Sequence, residues 1–178
     1  MANYSNIVLI GMPGAGKSTL GVVLAKTLGM DFVDTDITIQ QREGTTLQQI
    51  MDDTDYLNLR RIESEVLQDL YLSNTVIATG GSAVYSDAAM HHLKSRGVCI
   101  YLEASLEELT RRIHNYESRG IARAPDQTFQ QVFDERCALY KHYADITLNC
   151  NQRDVPSAIE ELMATLPAFH RQPTGSQP

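Results

Sequence analysis

The stretch GMPGAGKS, Gly11 to Ser18, fits the pattern G-x-x-x-x-G-K-[ST]. Residues of those types at that spacing suit a phosphate chain. Glycines let successive backbone N–H groups turn inward around phosphate oxygens, the lysine reaches the β- and γ-phosphates, and the following hydroxyl can ligate Mg²⁺. A helix opening at the end of the loop adds partial positive charge. Further on, DFVDTD places Asp34 and Asp36 one residue apart at the end of a short apolar run. Downstream stand Arg60 and Glu63 in LNLRRIE, Gly80 and Gly81 in TVIATGG, and the arginines 111, 112, 119, 123, 136 and 153. Phosphoryl transfer needs a metal, cationic clamps and in-line placement more than covalent help. An acceptor hydroxyl needs a nearby group to take its proton. An acceptor carboxylate is best gripped by bidentate arginines.

Several of these residues also have a plainer reading. Arg60 and Glu63 have the spacing of a surface i,i+3 pair, which contributes little. Gly80-Gly81 could be a tight turn after a strand. Arg136 could be helix surface, and Arg111 and Arg112 could complement the end of their helix. The five histidines show no ligand spacing, and Cys99, Cys137 and Cys150 read as small core hydrophobes.

The elements that must position this chemistry alternate along the chain. NIVLI reads as a strand running into the Gly-rich loop, and STLGVVLAKTLG as a helix with a glycine stop. DFVDT is a second strand, and TLQQIMDD and DYLNLRRIESEVLQDLYL are helices. TVIATGG is a third strand, followed by the helix SDAAMHHLKSRG and the strand VCIYLEA. SLEELTRRIHNY opens with the capping-box pair Ser105 and Glu108. QTFQQVFDERCALYKHYA, the strand DITLNC and the helix VPSAIEELMATL close the body. Strands separated by helices predict an α/β fold, a five-stranded parallel sheet flanked by helices. Ligands bind at the C-terminal ends of such strands, where the loop, the aspartates and the glycine pair all fall.

The chain has 178 residues and a net charge of −7. One domain over 1–168 is expected, with a polar tail over 169–178 expected to be disordered. The acidic balance disfavours nucleic acid as a partner. No basic leader, no stretch of membrane-spanning length and no disulfide or zinc spacing are seen, so a cytoplasmic protein without a membrane partner is expected. The guanine-reading N-K-x-D of GTPases is absent from the sequence, and the length suits a kinase of small molecules.

The sequence resembles the shikimate kinase family over nearly the whole body. The carrying stretches are GMPGAGKST, FVDTD, LRRIE, ATGG, the Arg-Gly at 119–120 and ERCALYKHYAD, in the family's order. The resemblance implies a P-loop nucleoside-monophosphate-kinase-like fold with a mobile lid over about residues 114–128. It implies ATP held by Gly14, Ala15, Gly16, Lys17, Ser18 and Thr19, with Arg112 and Arg153 near adenine and Arg119 reaching the phosphates from the lid. It places Ser18 and Asp34 toward Mg²⁺, the aspartate through water, and Asp36 beside the acceptor hydroxyl. Arg60, oriented by Glu63, and Arg136 would bind the acceptor carboxylate, and Gly81 would approach the acceptor with its backbone. The implied reaction is ATP-dependent phosphorylation of a small carboxylic acid, shikimate first, by a monomer. Alternatives are homoserine on the same scaffold, gluconate behind it, and a nucleotide-binding regulator that no longer catalyses. The chain departs from the family where Ser82 replaces a third glycine, where SRGIARAPDQT replaces R-P-L-L and makes Arg123 a second candidate lid cation, and at Leu59, where the family has phenylalanine.

Overall fold

The structure is a computed structural model that describes residues 3–113, 120–168 and 170–171. Five strands form one parallel sheet: β2 (Asn6–Ile10), β3 (Asp31–Asp34), β4 (Thr75–Ala78), β5 (Gly97–Glu103) and β6 (Ile146–Asn149). Their order is β3-β4-β2-β5-β6. β2 is central, and every one of its residues is buried, as a strand covered on both faces requires. The edge strands β3 and β6 are half exposed and carry polar residues, which discourages pairing with another chain.

Helices α1 (Lys17–Leu28) and α8 (Val155–Thr165) pack together, with α1 lying over β2, β3 and β4. Helices α4 (Tyr56–Gln68), α5 (Asp87–Lys94) and α7 (Phe129–Tyr143) gather around a 3₁₀ turn, Ala83–Tyr85. Ile7, Leu9, Ile100 and Leu102 lie at the centre of the main core. A second apolar cluster joins Ile39 of α2 (Thr35–Glu43), Ile50 of α3 (Leu47–Asp53), Leu59 and Ile62 of α4, and Ala122. That cluster ties the segment around Ala122 to the helices beside the aspartates.

The expected alternation is present, with differences at element ends. The strand DFVDT stops at Asp34, and Thr35 already opens α2, a helix that the sequence reading leaves unassigned. The cause is a cap: Asp34 Oδ1 accepts from Asp36 N at 3.0 Å and turns the chain out of the sheet. Helix α4 ends at Gln68, short of the expected Leu72. Helix α6 (Leu106–Arg112) ends where Ile113 becomes extended. The Ser105–Glu108 capping box is half made. Ser105 Oγ accepts from Glu108 N, but the Glu108 carboxylate turns to Arg111 and Arg112. A complete box stands instead at Thr128 and Gln131, at the start of α7. In the expected disordered tail, His170–Arg171 (β7) pairs in parallel with Asn3–Tyr4 (β1).

Candidate active site

The phosphate loop bridges the end of β2 and the start of α1. Gly14 and Gly16 have φ of 83° and 99°, left-handed values that favour glycine and let the backbone N–H groups face inward. Lys17 is buried, and its Nζ donates to Gly11 O at 2.8 Å and Met12 O at 3.0 Å. Burial lowers its pKa to about 8, with Asp36 pulling the other way, so it remains a cation at neutral pH. Ser18 Oγ donates to Asp34 Oδ2 at 2.5 Å. Asp34 therefore serves both the cap of α2 and the loop hydroxyl.

A cavity of about 450 Å³ runs along the C-terminal edge of the sheet. Gly14, Ala15, Gly16, Lys17, Ser18 and Thr19 line one end, with Arg112 and Arg153. Arg112 is fixed by Glu108 Oε1 at 2.7 Å, Cys150 O at 2.7 Å and Ala15 O at 3.4 Å. Arg153 pairs with Glu161. Asp36, in the first turn of α2, lines the middle with Lys17.

At the other end Gly80 and Gly81 follow β4, with Arg136 of α7 beside them. Arg136 is 1% exposed, the most buried charged side chain among the described residues. Its Nη2 donates to Ala122 O at 2.6 Å and its Nε to Tyr85 Oη at 3.4 Å. A Cβ on Gly81 would lie 2.9 Å from Arg136 Nη1 and 2.9 Å from Pro13 Cδ, so only glycine fits between them. Tyr140 Oη donates to Gly81 O at 2.6 Å and fixes that turn.

Arg60 does not line the main cavity. It borders an outer cleft with Tyr56 and Glu135, and its guanidinium carbon lies 3.7 Å from the centre of the Tyr85 ring. Its Nη2 donates to Ala122 O at 3.1 Å, so Arg60 and Arg136 converge on one backbone carbonyl. Glu63 does not orient Arg60. It is buried, and its Oε2 accepts from the Ser82 hydroxyl. Burial, then the nearby Asp36, raises its pKa to about 7. Arg123 turns to the carbonyls of Pro125 and Gln127 in its own loop and is not among the cavity's lining residues. Arg119, with residues 114–119 of the lid expected over about 114–128, lies outside the described residues.

The structure thus brings together the loop, Asp34, Asp36, Gly81, Arg112, Arg136 and Arg153, and it reaches Arg60 through Ala122. Sequence reading missed Tyr85, Tyr140 and the Ser82–Glu63 bond. Tyr140 was within reach, since it stands four residues after Arg136 and so shares its helix face. Tyr85 and Ser82 carry no local signal of this kind.

The arrangement can hold a polyphosphate at one end and an anion at the other, with a carboxylate between them. Hard oxygen ligands suit Mg²⁺, which keeps several waters and takes one or two protein oxygens besides phosphates. The Ser18–Asp34 pair at the loop offers that donor set. Among the described residues no group of three or more His, Cys, Asp or Glu forms an all-protein metal cage.

A family model described as "Shikimate kinase" matches residues 13–167. The shikimate kinase of Methylococcus capsulatus is 36% identical over 166 residues, covering 92% of this chain and 93% of that protein. The shikimate kinase of Thiobacillus denitrificans is 33% identical and covers 100% of this chain and 99% of its own length. The solved structure of shikimate kinase from Acinetobacter baumannii in complex with shikimate superposes with a TM-score of 0.85 at 29% identity, over 93% of this chain and 94% of that one. A gluconokinase from Sinorhizobium meliloti, at 18% identity and a TM-score of 0.53, covers 94% of both chains and shares the fold.

Proposed function

The chain belongs to the shikimate kinase family, and on that premise we propose that it transfers the γ-phosphoryl group of ATP to a hydroxyl of shikimate, giving shikimate 3-phosphate and ADP. The observation that carries the reading is one cavity holding the phosphate loop, Asp36 and the buried Arg136. In this reading the loop N–H groups and Lys17 bind the phosphates and offset charge on the oxygens as the bond to the leaving ADP breaks. Arg112 and Arg153 flank the base. Asp36 accepts the proton of the acceptor hydroxyl as its oxygen bonds to phosphorus. Arg136 and Arg60 bind the acceptor carboxylate, which takes over the place that the Ala122 carbonyl holds between them. Gly81 lets the acceptor lie close to the backbone. Ser18 and Asp34 would hold Mg²⁺, which would neutralise phosphate charge there. A lid that includes Arg119 would exclude water, so that ATP is not spent on hydrolysis.

We read the protein as a cytoplasmic monomer with a small carboxylate acceptor and no nucleic-acid or membrane partner. Among the described residues no helix is long and apolar enough to cross a membrane. The paired arginines would suit any small hydroxy acid, so homoserine and gluconate are the competitors in the test. A panel of acceptors compared by kcat/KM, with ATP and Mg²⁺, should place shikimate first. Turnover with homoserine and none with shikimate would reject the acceptor and keep the chemistry. Tight ATP binding without transfer to any acceptor would support a regulator instead.

A further inference from the structure

Arg60 and Arg136 come from different helices, α4 and α7, and both donate to Ala122 O. Two guanidiniums at one point repel each other, and each ends a long stem with many rotamers. Something must hold them there before an anion arrives. For Arg60 it is not the acid at ion-pair spacing on its own helix, because Glu63 is bonded to Ser82. Arg60 Nε is buried with no hydrogen-bond partner among the described residues.

Tyr85 supplies what is missing. It ends the 3₁₀ turn after the glycine pair, and that turn packs against both α4 and α7. Its half-buried ring carries the Arg60 guanidinium on one face, with the guanidinium carbon 3.7 Å from the ring centre and 5.1 Å from that of Tyr56. The negative face of the ring attracts the cation, and a flat guanidinium stacks on it. The Tyr85 hydroxyl accepts from Arg136 Nε at 3.4 Å and donates to Glu135. Burial first, and then the bond to Glu135, raise the Tyr85 pKa, so the hydroxyl keeps its proton at neutral pH. Glu135 and Asp126 border the outer cleft with Arg60 and are the acids it would otherwise turn to. With its hydroxyl on Glu135 and its ring on Arg60, Tyr85 keeps the two apart.

We propose that Tyr85 is a positioning residue for the acceptor carboxylate: its ring face holds Arg60 and its hydroxyl holds Arg136, so that both arginines point at one place before the acceptor binds. The inference rests on the proposed function and deepens it. The Ala122 carbonyl marks the place at which the two arginines aim. An Arg60 ordered in advance loses less rotamer freedom when the carboxylate arrives, which favours binding of the acceptor and leaves ATP unaffected.

The test compares the wild type with Tyr85→Phe, which keeps the ring, and with Tyr85→Leu and Tyr85→Met, which remove it. Melting temperatures identify the folded variants, and either aliphatic one serves. Loss of the ring should raise the KM for shikimate about tenfold, the upper range of a cation–π contact. The kcat and the KM for ATP should stay within about twofold. Tyr85→Phe should raise the shikimate KM by no more than about threefold, the worth of one long hydrogen bond. In an Arg60→Ala background, removing the ring should add no more than about threefold, because its main partner is gone. A tenfold rise that persists in that background would overturn the inference. So would an equal rise in the KM for ATP, a Tyr85→Phe as impaired as Tyr85→Leu, or an unchanged shikimate KM in a folded aliphatic variant. Calorimetric titration with shikimate gives the same comparison without turnover. Binding with the expected Tyr85 and Arg60 dependence but no phosphotransfer would support the inference and contradict the proposed reaction alone. No binding of shikimate to the wild type would overturn both.

Discussion

Lys17 donates from inside the phosphate loop to Gly11 O and Met12 O and stays protonated at neutral pH although burial lowers its pKa to about 8. Lys17→Ala removes that charge from the phosphates and should lower kcat by about 10²–10³-fold, the scale for loss of one fixed electrostatic donor. Steady-state kinetics on the folded variant check it. Asp36 is the proton acceptor of the account. Asp36→Asn should reduce kcat by about 10²-fold or more with little change in the KM for ATP. A large loss of ATP affinity with kcat intact would remove that role. Arg60→Ala should raise the KM for the acceptor by about tenfold or more, the worth of a charge-assisted bond. An unchanged KM would mean that the carboxylate sits elsewhere. At this scale the sequence was most legible where the partners are local. Gly11 to Ser18 lie within one strand–loop–helix unit, β2 to α1, whose pattern is visible in the sequence. Glu63 was misread because its i,i+3 neighbour is visible in the sequence, whereas Ser82, the partner it takes, reaches it only through the fold.

Elements place these residues through their ends. The D-T-D stretch is a strand end, a cap and a first helical turn, so Asp34 and Asp36 are directed by different elements despite being one residue apart. That division was hidden in the sequence because α2 is short and weakly apolar, and its cap looks like a strand continuing. Helix α7 carries Arg136 and Tyr140 on one buried face, and its first turn is fixed by the Thr128–Gln131 box. Thr128→Ala should cost about 1 kcal/mol of stability in a denaturant titration and leave the acceptor KM nearly unchanged. Helix α4 carries a pH-dependent contribution. Glu63 has its pKa raised from 4.5 to about 7, so the folded protein binds its proton more tightly than the unfolded chain. The associated stability is full below the unfolded value and is lost as pH rises through about 7, on the order of 3 kcal/mol in all. Compared with Glu63→Gln, the wild type should therefore lose stability between about pH 5 and about pH 8. Parallel stability–pH curves for the two proteins would contradict this.

On the scale of the whole molecule, the parallel sheet gathers distant segments at one edge. Residues from β2–α1, β3–α2, β4 and α7 meet in one cavity because their strands all end on the same side. That architecture was legible early, since apolar runs alternate with helix-period segments. Arg119 and the lid expected over about 114–128 remain part of the proposal, and Arg123, the other candidate lid cation, bonds to carbonyls of its own loop. The central claim is that this cavity transfers phosphate from ATP to shikimate. The most direct measurement is ADP release with ATP, Mg²⁺ and shikimate, followed together with shikimate consumption. The account predicts equal amounts of ADP formed and shikimate consumed, with the activity lowered about 10²–10³-fold in Lys17→Ala. ADP release that is independent of shikimate, or turnover only with another hydroxy acid, would contradict it.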